Sequence, residues 1–387
     1  MNKSQPNKKK IIIISVAKNW GGGEQFILDI CSNLTDFDFI ILSAKGNAAK
    51  LLKQNGLKVK AFSHLKKVEK SNGRWSVFAA LNILYNVTVN FFILIKCFSA
   101  EQPDLILMNG NMGGLYSFLP AVVSKKRFVV IQHLIYQAPT FEKFIIKILI
   151  RCAEAFICVS NAVAENLFKY LIDKKWQPKI HVIYNGVRID DFSYRTKSEA
   201  ATIRLGYIGA IKKEKGLELI IDALAKIPSE LNYQLMIFSD LFFYTGSSYF
   251  EFIKHLISVK NLKDKLVFKE FSTDKNKMYE EIDILMNYSL VAEAFPYVIL
   301  EAMSRGKIVI ASNEGGPKEI IKHGENGFLA EPKNPILLSE TISKCISEFN
   351  SENFDLIRFN AFSTIKDKFS IDKFIKNYKD FFNSIIN

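Results

Sequence analysis

Cysteine is scarce in this sequence, and the few cysteines present are not arranged in pairs. The 387 residues include five of them, with no CxxC spacing: Cys31, Cys97, Cys152, Cys158 and Cys345. Such a set argues against a disulfide framework or a zinc knuckle and favours reduced thiols in a cytoplasm. No second His or Cys stands at metal-ligand spacing from His133. Asp36 and Asp38 precede a strand, so they lie at the wrong edge of the sheet for a metal–diphosphate site. We therefore expect neither a metal nor a cofactor.

Two common nucleotide-binding signatures are also missing. No GxxxxGK[ST] loop occurs, which argues against a P-loop NTPase. The cluster Gly21–Gly23 is not GxGxxG, so it gives little support for dinucleotide binding.

Low-complexity tracts and short-period repeats are absent as well. The length of 387 residues suffices for two domains of ordinary size.

The positive charge of the chain is concentrated in its N-terminal half. Overall, 52 Lys and Arg stand against 39 Asp and Glu, for a net charge of +13. Residues 1–190 hold 26 basic and 12 acidic side chains, whereas the remainder holds 26 and 27. This asymmetry fits an anionic membrane surface, an anionic substrate or nucleic acid, and equally a lysine-rich composition that only keeps the protein in solution.

The N-terminal apolar run imitates a signal peptide. The run Ile11–Ala17 is short, and it meets Lys18 and a glycine cluster rather than a small-residue cleavage site. We interpret it as a buried first strand.

A second apolar segment, Ser76–Phe98, is long enough to span a bilayer. However, Asn82, Asn86 and Asn90 recur every four residues on one helix face, and amides without partners in hydrocarbon are costly. We predict a half-buried helix on a sheet, and peripheral membrane attachment through the basic half stays open.

Short apolar strands alternate with helices along the whole chain. The first series of strands includes "KIIIISVA", "FDFIILSA", "LKVKAF", "DLILM", "RFVVIQH" and "AFICVS". After a polar stretch at Ser193–Ala201, expected to be a linker, a second series follows: "IRLGYIGA", "YQLMIFS", "KLVFKEF", "DILMNY" and "KIVIAS". The pattern predicts an α/β fold with two doubly wound parallel-sheet, Rossmann-like domains facing across a cleft. We place the domains at residues 1–190 and 191–365, with a C-terminal helix in 366–387 packing back on the first.

The stretch "EAFPYVILEAMSRG", residues 293–306, predicts a helix that begins beside the cleft. Pro296 fits the first helical position, and Gly306 fits the C-terminal stop. The first amides of such a helix, near Tyr297 and Val298, suit a phosphate.

Two glutamates frame this helix start. Glu293 lies before it, and Glu301 lies about one turn into the helix, where a carboxylate can accept two hydrogen bonds from a vicinal diol such as a ribose. Spacing alone leaves open that neither binds a ligand, since Glu301 also suits the N-terminal half of a helix.

Three further features are candidates for the same ligand. Lys215 lies between Gly209, which ends a strand, and Gly216, which opens a helix, so its ammonium can point at a diphosphate. The turn at Gly22–Gly23 allows the backbone to approach an anion closely. His133 ends a strand and suits a sugar or acceptor hydroxyl. A solvated lysine and a structural histidine remain the ordinary alternatives.

Taken together, these segments resemble the retaining glycosyltransferases of family 4, which have the GT-B fold. The resemblance runs in order through nearly the whole chain, at "GGGEQF", "EQPDLIL", "CVSNAVAENL", "IHVIYNGVRIDDF" and "YIGAIKKEKGLELIIDAL". The most specific segment is "EAFPYVILEAMSRGKIVIASNEGGPKEIIKHGENGFL", which matches the family signature over nearly its full length.

The resemblance implies a role for each candidate residue. Glu293 would contact the transferred sugar, Glu301 the ribose hydroxyls, and Lys215 the diphosphate, together with the amides after Phe295. The catalytic group would be Glu293, Lys215 and His133. The donor-binding residues would be Gly22, Gly23, Gly209, Phe295, Pro296, Tyr297, Val298 and Glu301.

One position departs from the family pattern. Family members commonly have Arg directly after the glycine of the nucleotide loop, whereas this sequence has Ala210. Either Lys212 or Lys213 substitutes, or Lys215 acts alone and gives less stabilisation to the leaving group.

The resemblance implies a metal-independent, retaining transferase of the hexosyl or N-acetylhexosaminyl type. It would move a sugar from a nucleotide-diphosphate sugar, with a UDP-sugar favoured, to a hydroxyl of a glycan or lipid-linked acceptor in cell-surface polysaccharide or lipopolysaccharide synthesis. Residues 1–190 would receive the acceptor, and residues 191–365 would bind the nucleotide sugar. The protein would be cytoplasmic or peripheral at the inner face of the plasma membrane.

Three other functions stay open at this point. A nucleotide-sugar epimerase shares the fold but needs a set of cleft acids and histidines. A catalytically weak nucleotide-sugar-binding scaffold subunit would explain Ala210. Nucleic-acid binding rests on charge alone, without an RNP1 or GXXG signature, and we do not expect it.

Overall fold

The computed structural model describes residues 8–66, 77–136, 141–170, 172–189, 202–272 and 274–386. The predicted linker and the predicted boundary between residues 190 and 191 lie outside these ranges. The chain divides into two compact units. The first comprises Met1–Asn185 with Phe374–Asn387, and the second comprises Gly186–Lys373. Each unit is built around one parallel β-sheet with helices, which confirms the predicted α/β class.

The first unit contains a seven-stranded sheet in the order β3-β2-β1-β4-β5-β6-β7, in which all neighbours run parallel. Strand β1 lies between β2 and β4, so the four consecutive isoleucines Ile11–Ile14 are fully buried. The strands are β1 Lys9–Ser15, β2 Phe37–Ala44, β3 Val59–Phe62, β4 Leu105–Asn109, β5 Phe128–Gln132, β6 Ala155–Cys158 and β7 Ile180–Val182.

Within the described ranges, the α-helices between these strands are α1 Gly22–Asn33, α2 Asn47–Gln54, α3 Val77–Glu101, α4 Asn111–Val123, α5 Phe141–Cys152 and α6 Asn161–Tyr170. Helix α3 packs against α4, and α4 packs against α5. These three helices therefore cover the same side of the sheet.

Helix α3, which carries the asparagine stripe, turns its amides toward the protein. Asn86 and Asn90 are fully buried, and the Asn90 amide donates to the His64 carbonyl at 3.0 Å. The Asn86 amide donates to the Asn82 carbonyl one turn earlier at 2.7 Å. Among the described residues, Leu81–Glu101 of this helix is long and apolar enough to cross a membrane, judged by length and composition.

The second unit contains a six-stranded parallel sheet in the order β10-β9-β8-β11-β12-β13. Its strand order reverses between β8 and β11, as it does between β1 and β4 in the first unit. The strands are β8 Ile203–Ile208, β9 Tyr233–Ser239, β10 Leu266–Glu270, β11 Ile284–Asn287, β12 Ile308–Ser312 and β13 Phe328–Ala330.

The remaining helices are α7 Leu217–Leu224, α8 Leu241–Tyr244, α9 Ser248–Val259, α10 Lys275–Glu280, α11 Tyr297–Met303, α12 Pro317–Ile320, α13 Pro335–Ser347, α14 Glu352–Lys368 and α15 Ile371–Ile386. Several start at side-chain caps, which supply a hydrogen-bond acceptor to an otherwise unpaired amide. Ser351, for example, accepts from the Phe354 amide at the start of α14.

One local prediction about the signature segment is wrong in detail. Pro296 is not the first residue of α11 but its N-cap, with an extended backbone (φ −74°, ψ 119°). Its backbone is extended because the loop that carries Glu293 continues through Pro296, and the helix begins at the next residue, Tyr297. Later in the same signature segment, "GPKEIIKHG" forms the four-residue helix α12, which ends where Ile321 becomes extended.

The last helix completes the core of the first unit. Phe374, Tyr378 and Phe382 of α15 are buried, and they meet aromatic rings of the N-terminal segment. The Phe382 ring lies 5.4 Å from that of Phe37, and the Phe374 ring lies 5.9 Å from that of Phe26, both edge-on. Edge-on aromatic pairs at such distances add to the free energy gained by burial.

We predict that Phe382→Ala destabilises the first unit by about 3–5 kcal/mol, because it removes a fully buried ring and leaves a cavity. Urea unfolding followed by circular dichroism measures the change in the free energy of unfolding. Phe242→Ala is the control, because Phe242 is 93% exposed. Equal midpoints for the two variants would contradict the packing described for α15.

Candidate active site

The candidate residues gather where the strand order reverses. In the second unit, Gly209 follows β8, and Glu293 lies in the loop that follows the neighbouring strand β11. In the first unit, Gly22–Gly23 follow β1, and Asn109 ends the neighbouring strand β4. The helices leave such a pair of strands on opposite sides of the sheet, and the crevice between them is the usual ligand site of open α/β folds.

Glu293 is held by three side chains of the second unit. The Lys215 ammonium donates to its Oε2 at 2.9 Å, and the Asn287 amide donates to its Oε1 at 3.2 Å. The Ser289 hydroxyl also donates to Oε1. The structure thus brings together two of the predicted catalytic residues, and it adds Asn287 and Ser289.

The electrostatics of this group keep Glu293 ionised. Burial by itself would raise the pKa of the carboxyl, but the charge of Lys215 and the hydrogen bonds from Ser289, Lys215 and Asn287 outweigh it. The net result is a pKa below the ordinary value, so Glu293 is a fixed anion at neutral pH. It is not suited to donate a proton.

Glycines bring the two ends of this ion pair together. Gly216 has a positive φ of 68°, and a Cβ there would collide with the carbonyl oxygen of Tyr288. The Lys215 loop therefore lies directly against the end of β11. On the other side, the Gly316 amide donates to the Glu293 carbonyl at 2.8 Å, and a Cβ on Gly316 would collide with the Ala294 carbonyl.

Glu301 lies in the second turn of α11 and is buried. Tyr279 donates its hydroxyl to Oε2 at 2.8 Å, and Lys275 forms an ion pair with Oε1. Each carboxylate oxygen can accept a further hydrogen bond, so the fixed carboxylate retains capacity for two hydroxyl groups. Lys275 and Tyr279, both on α10, were not predicted as site residues.

Ala210 stands where family members commonly have arginine. It lies in the turn after β8, and its carbonyl accepts a hydrogen bond from the Tyr207 hydroxyl at 2.6 Å. Lys212 and Lys213 are exposed, whereas Lys215 is the lysine that reaches Glu293. This geometry favours Lys215 as the cation of the site.

The first unit carries a second group, centred on His133. Its Nε2 lies 2.6 Å from Oδ1 of Asn109, and the Asn109 amide donates to the Gly23 carbonyl at 3.3 Å. Because the amide oxygen can only accept, Nε2 of His133 carries the proton and Nδ1 is left as an acceptor. Burial lowers the pKa of His133 to about 4, so the ring is neutral at pH 7.

Glu24, one residue after the Gly22–Gly23 turn, is a buried carboxyl in the same crevice. Its Oε1 accepts from the Ser15 hydroxyl at 3.1 Å. Burial raises the pKa of Glu24 to about 7, against the opposing hydrogen bonds from Ser15 and its own amide. The carboxyl is therefore close to half protonated at neutral pH.

Two family models match the chain in succession. The model described as Glycosyltransferase Family 4 matches residues 20–191, and the model described as Glycosyl transferases group 1 matches residues 191–353. The chain belongs to the group 1 glycosyltransferases of family 4. The predicted resemblance is therefore confirmed, and the Glu293 and Lys215 group lies within the part matched by the group 1 model.

Individual relatives of this glycosyltransferase family match less of the chain. An uncharacterized glycosyltransferase of Methanocaldococcus jannaschii is 29% identical over 215 residues, which cover 52% of this chain and 53% of that protein. The capsular polysaccharide biosynthesis glycosyltransferase CapM of Staphylococcus aureus is 23% identical over 313 residues, 76% of this chain and 80% of CapM. Four curated relatives, including the Methanocaldococcus jannaschii protein described above, are matched over only 50 to 62% of their own lengths.

A solved structure confirms the fold of this family member. Anabaena HepE in complex with UDP-glucose has a TM-score of 0.78 and 22% sequence identity, over 97% of this chain and 99% of that chain. At this identity the likeness shows the fold, which is GT-B as predicted.

Metal binding has no visible basis in the described part of this glycosyltransferase. Within residues 8–66, 77–136, 141–170, 172–189, 202–272 and 274–386, no three His, Cys, Asp or Glu side chains gather into a possible metal site. Asp36 and Asp38 instead form ion pairs with Lys379 and Lys58. Metal independence of the reaction stays a prediction.

We predict that Glu24→Gln stabilises the glycosyltransferase at pH 8 but not at pH 5. Between its ordinary pKa near 4.5 and about 7, the folded state holds a proton that the unfolded state has released, so stability falls as pH rises through this window. Glutamine is neutral at every pH, so Glu24→Gln removes this loss in the free energy of unfolding, which amounts to at most about 3 kcal/mol.

Thermal melts of both proteins from pH 5 to pH 8 measure this difference. Glu165→Gln, at an exposed position on α6, is the control and should give no pH-dependent gain. A gain for Glu24→Gln that is the same at both pH values would contradict the raised pKa.

Proposed function

We propose that this protein is a retaining glycosyltransferase that moves a sugar from a nucleotide-diphosphate sugar to a hydroxyl of a glycan or lipid-linked acceptor. The observation that carries the proposal is the Lys215–Glu293 pair, which lies in the β8–β11 crevice of a family 4 chain. HepE, bound to UDP-glucose, supports a UDP-sugar as the donor, and CapM supports polysaccharide synthesis as the setting. A hexosyl or N-acetylhexosaminyl group is the proposed cargo.

Lys215 would stabilise the departing diphosphate. An ammonium has three N–H donors, and Glu293 occupies one of them, so two remain for phosphate oxygens. The start of α11, at Tyr297 and Val298, would add backbone amides to the same diphosphate, and Pro296, which has no N–H, would set the direction in which the helix begins. Fixed donors aimed at charge that develops in the transition state are the largest source of catalysis in many enzymes.

Glu293 would contact the transferred sugar as a permanent anion. Its three donors fix both oxygens in place, so the carboxylate meets the sugar without reorganising. The bond from the anomeric carbon to the diphosphate would loosen toward an oxocarbenium-like state, which a nearby anion favours. The acceptor hydroxyl would then enter on the face that the leaving group departs from and pass its proton to the departing phosphate oxygen, and configuration would be retained.

In the first unit, His133 would act as a neutral partner for a sugar hydroxyl. Its Nδ1 is the acceptor that remains once Nε2 donates to Asn109. Gly22 and Gly23 would let the backbone approach the donor, and Gly209 and Phe295 would do so in the second unit. We propose metal-independent chemistry, because the cationic charge on the diphosphate would come from Lys215.

The proposed location is the cytoplasm or the inner face of the plasma membrane, where nucleotide sugars and lipid-linked acceptors meet. The basic N-terminal half of the sequence supports the second of these.

We predict that Lys215→Met lowers the rate of nucleotide release from the cognate sugar nucleotide by about 10²–10³, because it removes a fixed cation from the leaving group. A panel of UDP- and GDP-sugars, with nucleotide release followed by a coupled assay, identifies the donor and then measures the effect. Lys213→Met, in the same turn but exposed, is the matched control and should stay within about twofold.

The outcomes of this assay also separate the alternative functions. A change in sugar configuration without nucleotide release indicates an epimerase, and donor binding without release in any condition indicates a scaffold subunit. If no sugar nucleotide binds, or if Lys215→Met and Glu293→Gln both release nucleotide at the wild-type rate, the proposed function is wrong.

We predict that Glu301 provides the preference for a ribose over a dideoxyribose. The wild-type protein should bind UDP about tenfold or more tightly than 2′,3′-dideoxyuridine diphosphate, since hydrogen bonds to a charged group contribute about 1.5–3 kcal/mol. Calorimetric titration of Glu301→Gln should show most of this preference lost. Glu325→Gln, at an exposed position, is the control, and an unchanged preference in Glu301→Gln would remove Glu301 from the ribose site.

A further inference from the structure

Helix α3 of the first unit is apolar on its outer face. Its sequence contains no charged residue from Val77 through Ile95. Leu81, Leu84, Tyr85 and Phe92 are each between 57% and 68% exposed, and they follow one another along the side that points away from the sheet. Large side chains this exposed on one helix are unusual at a protein surface in contact with water.

The inner face of the same helix combines polar and apolar side chains, since Leu94 and Phe98 are fully buried beside the asparagine stripe. Asn86 and Asn90 are fully buried, while their apolar neighbours Tyr85 and Phe92 point outward. An ordinary surface helix turns its apolar stripe toward the core and a polar face outward, whereas α3 buries its asparagines and keeps large apolar side chains on its outer face as well. Polar groups toward the protein and apolar groups outward are the distribution expected where the surrounding medium is hydrocarbon.

The neighbouring helices extend this face and add positive charge. Helix α4 also contains no charged residue, and its Leu119 and Val122 are exposed. Helix α5 buries most of its aliphatic residues and exposes Phe144 together with three basic residues, Lys143, Lys147 and Arg151. Apolar side chains beside exposed cations match the two components of an anionic bilayer surface.

The acidic residue at the end of α3 is already neutralised. Glu101, at the end of α3, forms ion pairs with Lys10 at 3.1 Å and with Lys60 at 2.6 Å. Helix α5 itself carries three basic residues and one acidic residue, Glu142. The charge around the face is therefore complementary to anionic lipid headgroups.

The fold allows α3 to lie on a bilayer but not to cross it. Its chain enters from β3 and leaves into β4, and both strands are hydrogen-bonded within the same sheet. A spanning arrangement would place its two ends on opposite sides of the membrane and would break the sheet. Tyr85 contacts the His64 ring just after β3, so the first turns of α3 lie at the carboxyl edge of the sheet.

We propose that the α3–α5 face, defined by Leu81, Leu84, Tyr85, Phe92, Phe144 and Lys147, docks onto an anionic lipid bilayer. The apolar residues of α3 enter the headgroup region, and the basic residues of α5 contact lipid phosphates. Leu134, directly after His133, is exposed at the same carboxyl edge. Docking would therefore bring the membrane surface to the edge of the sheet that carries the His133 group, on the side from which a lipid-linked acceptor would approach.

The test is vesicle binding by the full-length protein, which does not depend on the proposed function because no turnover is measured. Vesicles of equal parts phosphatidylglycerol and phosphatidylcholine are compared with vesicles of phosphatidylcholine alone, by flotation. We expect binding to the anionic vesicles that weakens in high salt, since screening reduces the attraction. Leu84→Ser with Phe92→Ser should lower the partition coefficient at least about tenfold.

A matched control exists in the second unit. Leu356 and Phe359 on α14 are 56% and 54% exposed, close to the values for Leu84 and Phe92, so Leu356→Ser with Phe359→Ser changes a similar apolar area. This control should bind vesicles like the wild type. Lys143→Glu with Lys147→Glu should lose the preference for anionic vesicles.

Three results would overturn the proposal. One is a wild-type protein that binds neither kind of vesicle. Another is equal loss of binding in the α3 variant and the α14 control. The third is a wild-type dimer, seen by light scattering, that the α3 variant converts to a monomer, because a second copy of the chain would then cover this face. Each result is independent of whether nucleotide release is observed.

Discussion

The arrangement of the second unit at its crevice depends on one ion pair, between Lys215 and Glu293. Two loops that follow neighbouring strands meet there, and neither could come so close if Gly216 carried a side chain. Neutral donors from Asn287 and Ser289 complete the shell around the carboxylate. A partly buried anion of this kind is tolerable only because each of its oxygens is hydrogen-bonded, so the pair fixes the backbone as well as the charge.

The crevice of the first unit is built on a different principle. Its residues form a chain of mostly neutral hydrogen bonds, from His133 through Asn109 to the Gly23 carbonyl, and burial keeps His133 uncharged. Beside this chain of hydrogen bonds, the Glu24 carboxyl is close to half protonated at neutral pH. A charged crevice suits an anionic diphosphate, whereas a neutral one suits hydroxyl groups, and this contrast agrees with the division of labour proposed for the two halves of the chain.

The sequence predicts the sheets well because strands such as Ile11–Ile14 are continuously apolar, and only strands buried on both faces have that composition. Asn287, Ser289 and Asn109 could have been found by the rule that led to His133, since they are polar residues at the carboxyl ends of buried strands. Lys275 and Tyr279 could not, because their contact with Glu301 depends on how α10 packs against α11. The sequence also could not predict which face of α3 packs on the protein, because an asparagine stripe has the same period whether it faces the sheet or the outside.

The aromatic core formed with α15 makes the first unit discontinuous along the chain. Phe374, Tyr378 and Phe382 come after the whole second unit in sequence, yet they pack on Phe26 and Phe37. A ribosome that has released only the first 185 residues has therefore not yet supplied that core. The N-terminal sheet can reach its final packing only after Phe374, Tyr378 and Phe382 have been translated, and a fragment cut at residue 185 would present exposed aromatic rings instead of a finished domain.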